Sequence, residues 1–190
     1  MAGKSFEIRK GWDSMVVYRT LSEGEICREL LRDLVRRQVV TKCWRREGGE
    51  WVVRDDPFID DWSEEDYRTL VSCLKGTVAA GGVVYAAFVD GALKGFASVE
   101  SALFGGEHRY LDLTSIHVSQ ELRGNGIGTS LFRLAKEWAA EKGARKLYIS
   151  AHSAVETQAF YHRMGCVEAE EYHRGHTEAE PFDCQMECVL

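Results

Sequence analysis

The residues best placed to do chemistry are Leu122-Arg123-Gly124-Asn125-Gly126-Ile127-Gly128-Thr129-Ser130. Their three alternating glycines expose backbone, and an amphipathic pattern follows at once in Ile127, Leu131, Leu134, Ala135, Trp138 and Ala139. A helix starting here points its unbonded N–H groups and the positive end of its dipole at the loop, an anion site suited to a pyrophosphate. The plain alternative is a tight strand-to-helix turn that binds nothing, but three alternating glycines exceed what a turn requires. No Lys follows them to reach a terminal phosphate, and the third glycine comes one residue early for the dinucleotide fingerprint. ATP, GTP and NAD therefore fit poorly.

A second constellation lies downstream. Residues 146–166 read as a short apolar strand and then a helix, with Phe160-Tyr161 near its end and Met164-Gly165 as its stop. Arg123-x-x-Gly126-x-Gly128 followed by this order resembles the GNAT superfamily of acyl-CoA-dependent N-acetyltransferases over residues 83–189. The resemblance implies an α/β domain with a mixed, mostly antiparallel sheet of about six or seven strands flanked by helices, CoA lying at a splayed strand pair. It also implies acetyl-CoA as the acyl-donor cosubstrate, with no metal.

Roles follow from that resemblance residue by residue. The amides of Gly124, Asn125, Gly126, Ile127, Gly128 and Thr129 would hold the pyrophosphate, with Arg123 at a phosphate. Ile116, His117 and Val118 would offer strand-edge backbone to the pantetheine arm, and Tyr161 would protonate the leaving thiolate. The family often places Asn seven residues before that tyrosine; Ala154 stands there, which leaves Ser153 and Thr157 as the CoA contacts of this helix. Where relatives carry an acidic base before the loop, this chain has Thr114 and Ser115. Glu100 is then the first candidate base, with Asp112 or a water chain as alternatives. Each role has a bland counterpart: a surface ion pair for Arg123, sheet core for Ile116 and Val118, a strand-face histidine for His117, a core tyrosine for Tyr161.

In Asp55-Asp56-Pro57-Phe58-Ile59-Asp60-Asp61-Trp62, carboxylates interleave with aromatic rings. Asp60, Asp61 and Trp62 would hold a cationic acceptor by charge and aromatic contact, or the stretch is simply an exposed acidic loop. The expected reaction is acetyl transfer from acetyl-CoA to a primary amine of a small cationic molecule, by direct attack in a ternary complex. A protein or peptide acceptor, and a non-catalytic CoA-binding module, are the other readings.

The whole chain sets bounds on these roles. Its 190 residues suit one domain, with residues 1–80 as a variable acceptor-side lead-in and 83–189 as the acetyl-CoA-binding core. A net charge of −6 with dispersed basic residues gives no reason to expect nucleic acid as a partner. No apolar run is long enough to cross a membrane, and Met1–Ser5 lacks the apolar core of a signal peptide, so a cytoplasmic location is expected. Dimers are common among similar proteins, which makes a homodimer a further expectation. The six cysteines show no zinc-ligand spacing and read as reduced structural thiols, and His173-x-x-His176 reads as polar loop rather than a metal pair.

The elements that must position these residues follow from pattern. Strands are expected at Ser5 to Arg9, Val83 to Val89, Leu93 to Leu103, Arg109 to Val118, Lys146 to Ala151, Cys166 to His173 and Asp183 to Leu190. Helices are expected from Ser22 to Gln38, from Ser63 to near Gly81, from Gly126 to Lys142, and from a Ser153–Glu156 capping box through Tyr161. Glu47-Gly48-Gly49-Glu50 reads as a turn between short extended pieces.

Overall fold

Alternating and continuous apolar runs organise the chain into one large sheet. In this computed structural model residues 6–9, 15–107 and 109–190 are described, Phe6–Arg9 by backbone alone. Ser5, where the first strand is expected to begin, and the Met1–Ser5 segment lie outside them. The strands are β1 (Phe6–Arg9), β2 (Met15–Thr20), β3 (Arg37–Glu47), β4 (Glu50–Asp61), β5 (Val83–Val89), β6 (Ala92–Val99), β7 (Tyr110–Val118), β8 (Lys146–Ala151), β9 (Val167–Glu168) and β10 (Cys184–Val189). The helices are α1 (Glu64–Ala79), α2 (Ile127–Glu141), α3 (Val155–Arg163) and α4 (Arg174–Ala179).

Eight strands form the sheet in the order β1-β2-β5-β6-β7-β8-β10-β9, while β3 and β4 pair as a separate hairpin. Every neighbouring pair in the large sheet is antiparallel except β7 and β8. This is the mixed, mostly antiparallel α/β sheet expected, with β2 added between β1 and β5. No helix of the described residues is long and apolar enough to cross a membrane.

Both faces of the sheet are covered. On one, Leu131, Phe132, Ala135 and Ala139 of α2 pack with Leu111, Leu113, Leu147 and Ile149 of β7 and β8. Burying a side chain such as Leu131 contributes about 2 kcal/mol. Gly95 in β6 lets α2 come close: a Cβ there would stand 3.2 Å from both Ile127 Cγ2 and Leu131 Cδ1. On the other face, Tyr67, Leu70 and Leu74 of α1 pack with Ile26, Leu31, Leu34, Val84 and Phe96. The start of α1 is fixed by a capping box, Ser63 N–H donating to Asp66 Oδ2 at 2.7 Å and Asp66 N–H to Ser63 Oγ at 3.3 Å.

Four expectations about elements are corrected. Residues 22–38 are not a helix; they make 3-10 turns at Glu23–Glu25 and Glu29–Leu31 and then enter β3. Tertiary hydrogen bonds take the backbone groups that a helix would need: Leu34 O accepts from Tyr67 Oη at 2.7 Å, and Val35 N–H donates to Ser119 Oγ at 2.9 Å. Ile26, Leu31 and Leu34 are nonetheless buried, so the apolar periodicity marked inward-facing residues correctly without specifying a helix. The acidic run Asp55–Asp61 is strand rather than loop, because eleven- and twelve-residue strands pair across Gly48-Gly49. No capping box opens α3: Ala154 is the N-cap, and the Ser153 hydroxyl instead accepts a hydrogen bond from Arg45 Nη1 at 2.7 Å. The expected strand from Cys166 to His173 shrinks to Val167–Glu168, and α4 follows it.

Candidate active site

The parallel register of β7 and β8 covers only Tyr110↔Lys146 to Asp112↔Tyr148. Beyond it the two strands diverge, and β7 continues from Leu113 to Val118 paired with β6 alone. The β8-facing backbone edge of β7 thus opens into a cavity of about 1110 Å³, lined by Leu113, Thr114, Ser115, Ile116, His117 and Val118. The glycine loop closes one part of it through Arg123, Gly124, Gly126, Ile127, Gly128 and Thr129. Gly126 is the α2 N-cap at φ +76°, a left-handed conformation glycine adopts without strain, and no side chain caps the helix. The amides of Ile127, Gly128 and Thr129 therefore lack intrahelical acceptors at the cavity wall, an arrangement suited to an anion with the helix dipole behind them.

Arg123 Nε donates to Val118 O at 3.2 Å, tying the loop to the end of β7. Nearby, Arg36 forms an ion pair with Asp60 and lies 5.3 Å over the Trp62 ring. Trp62 meets His117 edge to face at 4.7 Å. Burial, reinforced by the charges of Arg36 and Arg123, pushes the His117 imidazole down to about 3. It is neutral at physiological pH and a poor proton acceptor.

Tyr161 comes from the last turn of α3 and lines the same cavity. Its ring is buried, 6.2 Å from Phe132, and among the described residues its hydroxyl has no hydrogen-bond partner. Burial raises its pKa, so it stays protonated and available as a donor.

A polar cluster occupies the wall formed by β8 and the segment leading to β10. Asp183 accepts from Ser150 Oγ at 3.1 Å, and burial holds its carboxyl above the usual range. Glu180 and His176 stand beside it in the cavity wall. His176 Nε2 lies 2.5 Å from Asp112 Oδ2, and this hydrogen bond raises the imidazole pKa against a smaller opposing effect of burial.

The structure brings together Ile116, His117, Val118, Arg123, Gly124, Gly126, Ile127, Gly128, Thr129, Thr157, Tyr161, Asp60 and Trp62. Asn125, Ser153, Glu100 and Asp61 are not part of the cavity lining. Ser153 is buried against β3, where its carbonyl accepts from Trp44 N–H at 2.8 Å, so it is turned away from any ligand. Glu100 is past the far end of β6 and its carboxylate takes the Thr77 hydroxyl at 2.5 Å, so it does not reach the site as a base. Asp60 reaches the wall with its charge already matched by Arg36. Two more aspartates of the acidic run are matched too, Asp55 by Lys42 at 3.5 Å and Asp56 by Arg45.

Sequence reasoning missed Arg36, Arg37 and Gln38 at the start of β3, and Ser150, His152, His176, Glu180 and Asp183 on the opposite flank. The β-branched pair Val39-Val40 was a usable signal for β3. For His176 and Asp183 there was none, since only the sheet topology brings them beside β7.

The model of the acetyltransferase (GNAT) family matches residues 42–166. No curated protein sequence matches this chain significantly. Among solved structures, a nourseothricin acetyltransferase superposes with a TM-score of 0.63 at 22% identity, covering 92% of this chain and 98% of that one. A Bacillus anthracis protein provisionally named a streptothricin acetyltransferase, in complex with acetyl coenzyme A, gives a TM-score of 0.69 at 15% identity over 92% and 99%. An IAA acetyltransferase from Bacillus cereus gives 0.55 at 19% over 92% and 99%. At these identities the solved structures bear on the fold.

Proposed function

The chain belongs to the GNAT acetyltransferase family, with acetyl-CoA as its cosubstrate, and on that premise we propose that it acetylates a primary amine of a small cationic molecule by direct attack. The observation that carries the acceptor class is the state of the cavity's carboxylates. Asp60 is neutralised by Arg36, whereas Glu156, Glu180 and Asp183 have no ion-pair partner among the described residues. Unpaired carboxylates in a concave, partly desolvated site favour a cation. The acceptor site is thus assigned to the Glu180–Asp183 flank, with Trp62 and Asp60 shaping the wall near the loop.

The chain's own residues supply the rest. The α2 amides and Arg123 are suited to the pyrophosphate, and the free β7 edge from Leu113 to Val118 can continue the sheet into the amides of the pantetheine arm. Thr157 is retained as a CoA contact of α3. Holding donor and acceptor in one cavity turns the transfer into an effectively intramolecular step. Tyr161 carries a proton toward the departing sulfur.

The test is acetyl-CoA-dependent release of free thiol across polyamines, aminoglycosides, nourseothricin, amino acids and short peptides, with Tyr161→Phe in parallel. Turnover is expected with one class of small cationic amine. Tyr161→Phe should lower it about 10²-fold while acetyl-CoA affinity stays nearly unchanged. Turnover confined to peptides would overturn the small-molecule reading, and full activity in Tyr161→Phe would remove the tyrosine from the acid role.

A further inference from the structure

Amine acetylation needs a destination for the proton of the acceptor ammonium, and Glu100, whose carboxylate is engaged by the Thr77 hydroxyl outside the cavity lining, does not offer one. One histidine of the cavity wall is built differently from the others. His176, on α4, places Nε2 at 2.5 Å from Asp112 Oδ2 on β7, a contact between residues 64 positions apart. Asp112 is itself buried, and its other oxygen has no partner among the described residues. The carboxylate therefore fixes the ring and the position of its proton at Nε2, leaving the Nδ1 lone pair free.

Nδ1 of His176 has no hydrogen-bond partner among the described residues, yet it is not sealed off in the way that the buried, unpartnered Nδ1 of His173 is. The groups facing the ring are Asp112 from β7, Tyr148 from β8 stacked at 5.9 Å and His173 at 4.9 Å; the Asp183 carboxylate acts on it by charge, and Glu180 lines the same cavity. This is a proton acceptor held by a carboxylate beside the unpaired acidic groups assigned above to a cationic acceptor. His117, by contrast, lies among arginines and has no carboxylate against its ring.

We propose that His176, oriented by Asp112, is the general base that removes the proton from the acceptor ammonium, directly or through one water. The assignment rests on the amine-acetylation reading. The ammonium gives one proton to His176 Nδ1, and the neutral amine nitrogen bonds to the thioester carbonyl carbon. The C–S bond then breaks, the sulfur takes the Tyr161 proton, and the second amine proton returns through water to Tyr161. His176 releases its proton to solvent, one proton net per acetyl group transferred. Asp112 is a positioning residue in this scheme: it lies outside the cavity lining and acts through the imidazole. Because the imidazole must be neutral to work, kcat/KM rises with pH through its pKa, which the Asp112 hydrogen bond holds above the ordinary histidine value.

The experiment measures kcat/KM against pH for the best amine of the panel, and slow acetyl-CoA hydrolysis without any amine, in the wild type, His176→Gln and Asp112→Asn. His176→Gln should retain acetyl-CoA affinity, lose about 10²-fold in kcat/KM and lose the ascending limb. Asp112→Asn should move that limb to lower pH. A wild-type rate and limb in a folded His176→Gln variant overturns the proposal while leaving amine acetylation intact. If no amine turns over but hydrolysis still depends on His176, the base stands and the acceptor reading falls. Should either variant fail to fold, NMR titration of the His176 ring in the wild type decides. A ring pKa matching the kinetic limb supports the assignment, and one below the ordinary histidine value overturns it.

Discussion

The loop before α2 and the β8–β10 flank of the cavity are built in opposite ways. At the loop, the groups proposed to bind are backbone amides made available by Gly124 and Gly126, within a few residues of the helix whose dipole supports them. On the flank, each side chain proposed to act depends on a distant partner, His176 on Asp112 and Asp183 on Ser150; in the wall opposite, Arg36 depends likewise on Asp60. A backbone site tolerates almost any side chain that stays out of its way, whereas a site of paired side chains also holds the fold together. Changes at the loop should therefore alter binding with little effect on stability, changes on the flank should alter both, and a change at Asp60, whose charge Arg36 already matches, should alter stability alone.

The largest effect that can break this distinction is at the loop. Gly126→Asp places a carboxylate against the amide row at φ +76°, a conformation Asp adopts at a cost of about 1 kcal/mol. Acetyl-CoA affinity, read by calorimetry, should fall about 10³-fold, equivalent to about 4 kcal/mol, while the melting temperature moves only slightly. Retained affinity would remove the loop from the binding site. Next comes Asp60→Asn, which strips the counter-ion from an Arg36 side chain that is only 9% exposed. Denaturant unfolding should show a loss of about 3 kcal/mol with the KM for a cationic amine little changed. A raised KM with normal stability would return Asp60 to acceptor binding.

The same distinction explains what was legible from the amino-acid order alone. The strand Lys146–Ala151 matches its expected bounds, and α1, α2, β5 and β7 match closely, because capping residues, glycine stops and apolar periodicity act within a few residues. The glycine loop was legible for the same reason. Residues 22–38 were misread because Ser119 and Tyr67, far along the chain, capture their backbone groups. Asp60 looked like an available charge because Arg36 was assigned to a helix rather than to the approach to a strand. His176 and Asp183 gained their significance only through β10, which inserts between β8 and β9 and brings the preceding segment against β7 and β8. Local rules found the loop proposed to hold the donor, and topology was needed for the flank proposed to hold the acceptor.

The smallest effect sharpens the comparison most, because it separates a functional side chain from its structural share. The Asp112 hydrogen bond raises the His176 pKa in the folded protein, so protonated His176 is favoured by folding. Its stabilisation is fully present below the unfolded histidine pKa of about 6.5 and is lost as pH rises through the higher folded value. The side chains are 25% and 12% exposed, which limits the contribution to below about 1 kcal/mol. Thermal unfolding of the wild type and His176→Gln at successive pH values should show the larger gap on the acid side of about pH 6.5, narrowing above it. For Gly126→Asp the corresponding gap should stay level across that range, since no titrating pair is broken. A level gap for His176→Gln as well would mean that the Asp112 contact carries no linkage, and the flank would then resemble the loop in separating function from stability.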